Sequence, residues 1–397
     1  MNICLMTSEY PSPFSGGVQR VTNQLYEVFK NRGHQVYVIS KDSPLLESSE
    51  SENHHILSPL KNNKESACQF ISAFFNEHQI EYVINNSHHT SIFDLLCEVK
   101  KSHQFTLLTC IHSDPDCLLK GLRDQWDSKK SFRDLGWWLT LPYQGLVYGV
   151  RYFKRKKHLK WLYRKKYKES DRIVLLSNLF IPAFKRYLPT SNGDKICAIA
   201  NIIDLASQNH PVPKERIILW IGRMEMEAKR PDRMVEIWER LYRLHPDWHL
   251  YMIGDGSLRQ PLINHCELKR IKNIHFIGRT NPIPYYKRAS ILCMTSTYEG
   301  FGLVLAEAQS YGVIPFAYDS YAAVHDIIED GVTGHLISPF SIRKYANKLS
   351  ELISNSELLN KERNNISNHK PYMCFSPAII AEKWEAILKD CNHESIG

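Results

Sequence analysis

Two stretches of the chain set charged side chains at fixed spacings from glycine turns, an arrangement suited to holding an anionic ligand. The first is T-Y-E-G-F-G-L-V-L-A-E-A, Thr297 to Ala308, which follows the apolar run I-L-C-M-T-S and opens a helix. Gly300 and Gly302 permit close backbone approach. The amides at the start of the helix offer an anion site aided by the helix dipole. Glu299 before the turn and Glu307 beyond it add two carboxylates that can accept from hydroxyl groups. Two acceptors flanking an anion cradle suit a sugar nucleotide, with the ribose at one carboxylate and a sugar at the other. A Glu in the first turns of a helix also serves as plain dipole compensation.

The second stretch is W-I-G-R-M-E-M-E-A-K-R-P-D-R, Trp220 to Arg233. An apolar strand ends there in Gly222, followed by Arg223 and, six residues on, Lys229. Open α/β sheets bind ligands at the carboxyl ends of their strands. An Arg fork and a Lys point charge can neutralise a diphosphate leaving group as its charge develops. Two solvated surface cations are the alternative, and the position directly after an apolar strand favours function.

Weaker signals surround these. Ser15, Gly16, Gly17 and Val18 sit between a first strand and its helix, where adjacent glycines can aim amides at phosphate, but the G-x-G-x-x-G fingerprint is absent. His112, in H-S-D-P at another strand end, can orient a substrate or be a satisfied structural histidine. Gly254-Asp255-Gly256 and Ile277-Gly278-Arg279 are strand-end turns that can approach a base or simply make tight turns.

The elements that must position these residues read as doubly wound α/β. Short apolar, β-branched runs alternate with helical patterns, and the alternation occurs twice. Strands are expected at Asn2–Thr7, Gln35–Ser40, Glu81–Asn85, Phe105–His112, Arg172–Ser177 and Lys195–Ala200, then at Arg216–Gly222, His249–Gly254, Ile274–Gly278, Ser290–Ser296, Val313–Ala317 and His335–Ile337. The first helix carries Val18, Val21, Leu25, Val28 and Phe29 at helical period. Polar, Pro-containing residues Ile203 to Glu215 form the expected linker between domains at 1–202 and 216–375. A last helix from Ser376, with Pro377 at its first position, presents Ile380, Trp384, Ile387 and Leu388 and needs a surface to pack on.

Composition narrows the class further. With 43% hydrophobic and 23% charged residues, the chain is neither disordered nor fibrous. Its ten cysteines contain no C-x-x-C pair and read as free thiols of a reducing cytosol. M-N-I-C-L-M-T has no signal-peptide form, and Leu135 to Val150 is too short to span a bilayer, so a cytoplasmic location is expected. One section, 118–168, breaks the rhythm and is read as irregular or helical, basic and aromatic. Arg151 to Lys168 holds ten Lys and Arg and no acid, more than the net +8 of the whole chain, so the remainder is near neutral. Interleaved aromatics suit an anionic membrane surface, which would make the protein peripheral to the inner face of the cytoplasmic membrane. A solvated helix face is the competing reading, and nucleic acid is not expected.

Together the motifs resemble glycosyltransferase family 4, retaining enzymes of the GT-B fold with two Rossmann-like domains facing across a cleft. The resemblance spans nearly the whole chain. It is most specific where Gly222-Arg223, Lys229, I-G-D-G, F-I-G and E-G-F-G-L-V-L-A-E follow one another in the family's order and spacing. It implies that Arg223 and Lys229 bind the donor diphosphate, Glu299 contacts the transferred sugar, Glu307 holds the ribose, and the Phe301 to Val304 amides cradle phosphate. By the same resemblance, Gly16 and Gly17 approach the donor, His112 sits by the donor sugar, and the terminal helix crosses back onto the N-terminal domain.

Ala322 and Ala323 depart from the family's pattern, standing where many members have glycines that contact the sugar, and the section 118–168 matches no family pattern. The implied activity is a UDP-sugar-dependent transfer to a glycan acceptor, lipid-linked, in lipopolysaccharide, capsule or exopolysaccharide synthesis. No metal is expected, because no His/Cys ligand spacing occurs, and no cofactor beyond the nucleotide-sugar donor is expected. A catalytically silent nucleotide-sugar-binding or scaffold protein of the same fold is the alternative. A nicotinamide-dependent oxidoreductase is disfavoured by the missing fingerprint.

Overall fold

In the computed structural model, which describes residues 1–12, 16–42, 53–57, 63–130, 135–189, 195–206 and 213–394, the apolar runs form two parallel sheets. The first contains β1 (Asn2–Glu9), β2 (Gln35–Asp42), β3 (His54–Ile56), β4 (Tyr82–Asn85), β5 (Thr106–Ile111), β6 (Arg172–Leu175) and β7 (Ile196–Ala198), in the order β3-β2-β1-β4-β5-β6-β7. The second contains β8 (Ile217–Ile221), β9 (His249–Ile253), β10 (Ile274–Gly278), β11 (Ile291–Met294), β12 (Ile314–Tyr318) and β13 (His335–Ile337), in the order β10-β9-β8-β11-β12-β13. Continuous apolar strands such as β4 and β11 are buried along their whole length, as parallel strands covered on both faces must be.

Helices α1 (Gly17–Asn31), α2 (Lys64–Glu77), α3 (Thr90–Val99), α4 (Cys117–Lys130), α5 (Leu135–Glu169) and α6 (Ile181–Lys185) arise from the N-terminal half. From the C-terminal half come α7 (Pro231–Leu241), α8 (Arg259–Lys269), α9 (Ile283–Arg288), α10 (Leu303–Ser310), α11 (Ile342–Ile353), α12 (Ser356–His369) and α13 (Pro377–Glu394). On α1 the expected stripe is buried at Val21, Leu25 and Phe29, while Val18 and Val28 are half-buried.

Two compact units result: Met1–Pro115 with Lys157–Ile202 and Phe375–Gly397, and Asp116–Lys156 with Ile203–Cys374. The core of the second gathers Trp220, Trp238, Trp248 and Phe316. Helix α13 belongs to the first unit. Its Ile380, Trp384 and Leu388 are buried, with Ile387 half-buried, and Trp384 meets Phe29 of α1 edge-on at 6.3 Å between ring centroids. Glu385 then accepts from Arg32 Nε at 2.6 Å, and His34 Nε2 lies 3.1 Å from the same oxygen. Each large apolar side chain so buried is worth ~1.5–3 kcal/mol, which holds the chain's end to α1.

Two expectations are corrected, the strand set and the domain that takes the section 118–168. The edge strand β3 has no counterpart in the expected set, because three residues are too few to show alternation. In the section 118–168, read as irregular or helical, the described residues are helical and form α4 and the 35-residue α5. The section does not belong wholly to the N-terminal half: 116–156 groups with the second sheet's unit, because α4 buries Leu119, Leu122 and Asp124 and sets Gly121 against Tyr298 of that unit. Ser15 and residues 207–212 of the expected linker lie outside the described residues.

Candidate active site

The second unit's candidate residues converge because the carboxyl ends of β8, β9, β10 and β11 are stitched by backbone hydrogen bonds. Gly222 N donates to Ile253 O at 3.0 Å, Gly254 N to Gly278 O at 2.9 Å, and Thr297 N to Ala228 O at 2.7 Å. Gly254 adopts φ +135°, and a Cβ there would overlap the Gly222 carbonyl, so only glycine closes this seam. A Cβ on Gly222 would in turn lie 3.2 Å from Lys229 Cδ. The bare glycine leaves the lane along which the lysine stem runs.

That lane ends on Glu299. Lys229 Nζ donates to Glu299 Oε1 at 2.6 Å, and Ser296 Oγ donates to the same oxygen at 2.6 Å. Two residues expected to serve one ligand are thus already paired with each other, 70 positions apart in sequence. Arg223 is exposed beside them in the chain. Beyond Glu299, Gly302 takes φ +92° as the N-cap of α10, whose first turn has neither a side-chain cap nor an acidic residue. Leu303 and Val304 are half-buried and Phe301 is buried. Orphan amides at a helix start are an anion site in waiting. Glu307, on the next turn, is 3% exposed and accepts from Tyr286 Oη at 3.1 Å. Ile277 and Gly278 close β10 and are half-buried, and Arg279 just beyond them is exposed.

A residue that carried no signal in sequence underpins the site. Asp124 of α4, 4% exposed, forms ion pairs with both Arg230 and Arg233, and Thr297 Oγ1 donates to it at 3.0 Å. Arg230 follows Lys229, and Thr297 precedes Glu299 by two. One buried carboxylate therefore ties together the two loops that carry the Lys229–Glu299 pair. Arg230 holds the left-handed φ of +50° at the N-cap of α7, a conformation that costs a non-glycine residue ~1–2 kcal/mol and that its bonds to Asp124 and Asp232 maintain. Burial alone would lower its pKa, yet the Asp232 and Asp124 partners together hold it above the ordinary value. Arg233 also lies over the Phe340 ring at 4.0 Å. Only the pairing of an acid with arginines more than a hundred residues distant reveals this cluster.

In the first unit, Gly16 caps α1 with no side-chain hydrogen bond, and Gly17 begins the helix. His112 stands beyond β5. Burial, reinforced by Lys166 and His88, lowers its pKa to about 4, so the ring is neutral near pH 7. Its Nε2 lies 3.0 Å from Asn86 Oδ1, which fixes the proton on Nε2 and leaves Nδ1 a bare acceptor. Asn86 is itself held, donating to Thr22 Oγ1 at 3.2 Å, and Thr22 donates to Val18 O at 2.9 Å. The tautomer of His112 is therefore set through the first turns of α1.

The basic run is only partly free. Within Arg151 to Lys168, Leu159, Tyr163 and Lys166 are buried, Lys165 pairs with Asp94 at 2.6 Å, and Arg164 donates to Tyr187 O at 3.2 Å. An exposed apolar stripe, Tyr143, Leu146, Val150 and Phe153, spaced 3-4-3 along α5, runs into the start of the basic run, with Leu146 67% and Phe153 68% exposed, and Trp161 further along is 52% exposed. No described helix is long and apolar enough to cross a membrane, and no group of three His, Cys, Asp or Glu side chains is placed to hold a metal ion among the described residues.

Comparison with known proteins matches residues 203–370 to the family described as glycosyl transferases group 1. An uncharacterized glycosyltransferase of Haemophilus influenzae is 28% identical over 257 residues, covering 58% of this chain and 69% of that protein. The Campylobacter jejuni enzyme named GalNAc-alpha-(1->4)-GalNAc-alpha-(1->3)-diNAcBac-PP-undecaprenol alpha-1,4-N-acetyl-D-galactosaminyltransferase is 30% identical over 184 residues, covering 45% of this chain and half of its own length. Among solved structures, a mutant of S. aureus TarM in complex with fondaparinux, alpha-GlcNAc-glycerol and UDP superposes with a TM-score of 0.74 at 14% identity, over 98% of this chain and all of that one. Residues 203–370 therefore match the glycosyl transferases group 1 family model, on a chain that has the fold of GT-B glycosyltransferases.

Proposed function

We propose that the protein is a retaining, metal-independent transferase that moves a sugar from a nucleotide-sugar, a UDP-sugar, to a glycan acceptor. The observation that carries this reading is the Lys229–Glu299 pair, set at strand ends beside the uncapped start of α10. Lys229, already oriented by Glu299, exchanges that carboxylate for the donor diphosphate, and exposed Arg223 adds its fork. Released from the lysine, Glu299 accepts from a hydroxyl of the transferred sugar. Glu307 accepts from the ribose, and the amides from Phe301 to Val304 receive phosphate oxygens.

Chemistry then follows on one face. The bond from the anomeric carbon to the diphosphate oxygen breaks while the acceptor hydroxyl attacks from the same side. The departing phosphate oxygen takes the acceptor's proton, so no separate protein base is required. Arg223 and Lys229 stabilise the charge that develops on the diphosphate. In the first unit, His112, locked as an acceptor at Nδ1, can take a hydrogen bond from a carbohydrate hydroxyl bound there. A UDP-sugar assay with and without glycan acceptor tests the reading: acceptor-dependent UDP release with retained anomeric configuration supports it, and inversion or no release overturns it.

The acceptor in this reading is lipid-linked, and α5 provides the surface that meets the lipid. The stripe Tyr143, Leu146, Val150 and Phe153 lies next to Arg151, Lys154, Lys156 and Lys157, pairing apolar insertion with cationic attraction. Equal partitioning onto neutral and anionic liposomes at low salt would remove this part.

A further inference from the structure

Of the ten cations in the basic run, one is buried within the fold. Lys166 is 4% exposed, whereas its neighbour Lys165 is paired with Asp94 and Lys168 lies 3.8 Å from Glu169. Two hydrogen bonds fix where it sits. Tyr163 Oη donates to Pro115 O at 3.1 Å, and Ser170 Oγ lies 2.7 Å from Thr109 Oγ1. Lys166, between these points on α5, is therefore abreast of His112, at the carboxyl end of β5.

Among the described residues its ammonium has no hydrogen-bond or ion-pair partner. The titrating group that acts to raise its pKa is the buried Cys110 thiol, and burial, the larger effect, brings the ammonium down to about 8. It remains largely protonated near pH 7, and its charge is felt by His112 and His88, whose pKa values it helps to lower. A charge so nearly buried, with no partner among the described residues, is costly, and an incoming anion removes that cost. Beside it, His112 Nδ1 is a buried acceptor with no partner among the described residues. A cation and a lone acceptor together match a ligand that carries both an anionic group and a hydroxyl. Strand carboxyl ends are where α/β sheets take their ligands.

We propose that Lys166 forms an anion subsite in the first unit, receiving a phosphate or carboxylate of a carbohydrate substrate, while His112 Nδ1 accepts from a neighbouring hydroxyl of the same molecule. The inference deepens the transferase reading and rests on it for the carbohydrate. The anion comes either from the acceptor or from the donor diphosphate.

Titration of 15N-labelled protein with inorganic phosphate, followed through the His112 imidazole resonances, tests the subsite on the full chain. Wild type is expected to bind saturably and to shift those resonances, and Lys166→Met to bind at least ~10-fold more weakly, as loss of a charge-assisted hydrogen bond requires. Lys166→Arg, which keeps the cation, should retain most of the affinity. Because Lys166→Met removes an unpaired buried charge, it should fold at least as stably as wild type. UDP, titrated in parallel, identifies the source: affinity that falls with that for phosphate assigns the subsite to the donor diphosphate, and unchanged affinity assigns it to the acceptor. Failure of the wild type to bind phosphate, or equal affinity in Lys166→Met, overturns the subsite. If the wild type transfers sugar in that case, the transferase reading stands. Phosphate binding lost in Lys166→Met by a protein that transfers no sugar would keep the subsite and overturn that reading.

Discussion

Lys229 Nζ and Glu299 Oε1, from loops following two different strands, meet at 2.6 Å in the second unit. The ion pair joins two residues on which the proposed transfer relies and pre-sets the lysine, its stem running past the bare Gly222. In the proposed reading, replacing Lys229 by Ala leaves Arg223 as the remaining cation of this pair on the leaving diphosphate. In steady-state assays of UDP release, kcat should fall on the order of a hundredfold or more. Near-normal kcat would show that the assignment is wrong.

Asp124 should matter for stability as much as its distance from Lys229 in sequence hides it. Replacement by Ala leaves Arg230 and Arg233 buried around a missing carboxylate. Breaking a buried ion pair from one side costs ~3–5 kcal/mol. Guanidinium unfolding of the Asp124→Ala protein should register that loss, and an unchanged midpoint would mean that the cluster is energetically idle.

Acid should loosen the attachment of α13. Glu385 has its pKa lowered to about 2, chiefly by the hydrogen bond from Arg32. A carboxylate with a depressed folded-state pKa stabilises fully above its ordinary value of 4.5, and the stabilisation disappears as pH falls toward about 2. The Tm difference between wild type and Glu385→Gln should therefore be largest above pH 5 and vanish near pH 2. A difference independent of pH would place the effect of the substitution elsewhere.

Membrane partition should track the exposed stripe of α5 rather than the buried end of the basic run. Phe153→Asp should weaken binding to anionic liposomes by ~10-fold or more, since an inserted aromatic is worth ~1.5–3 kcal/mol. Sedimentation with phosphatidylglycerol vesicles measures this, and wild-type affinity in the variant would exclude the stripe from contact.

Substitution of Gly254 by Ala tests the seam that gathers the strand ends. The new Cβ would collide with the Gly222 carbonyl at a φ that disfavours side chains, so a loss of more than ~1 kcal/mol in stability is expected from unfolding curves.

Much of this organisation is legible in the residues alone. Strands such as I-I-L-W-I and I-L-C-M are continuous apolar runs ended by glycine or polar turns, and burial on both faces leaves them no other pattern. Gly222-Arg223, Lys229 and the E-G-F-G-L-V-L-A-E turn are local motifs, so their place at strand ends follows from their neighbours in sequence. Tertiary structure decided the rest. Helical periodicity says that α4 has a buried face but not which sheet covers it, and Asp124 finds its arginines across more than a hundred residues. Ten cations in a run look alike in composition, yet packing pairs Lys165, spends Arg164 on a carbonyl and buries Lys166 alone beside His112. A sequence carries its local preferences along the chain, whereas a pairing between distant side chains exists only once the backbone has brought them together.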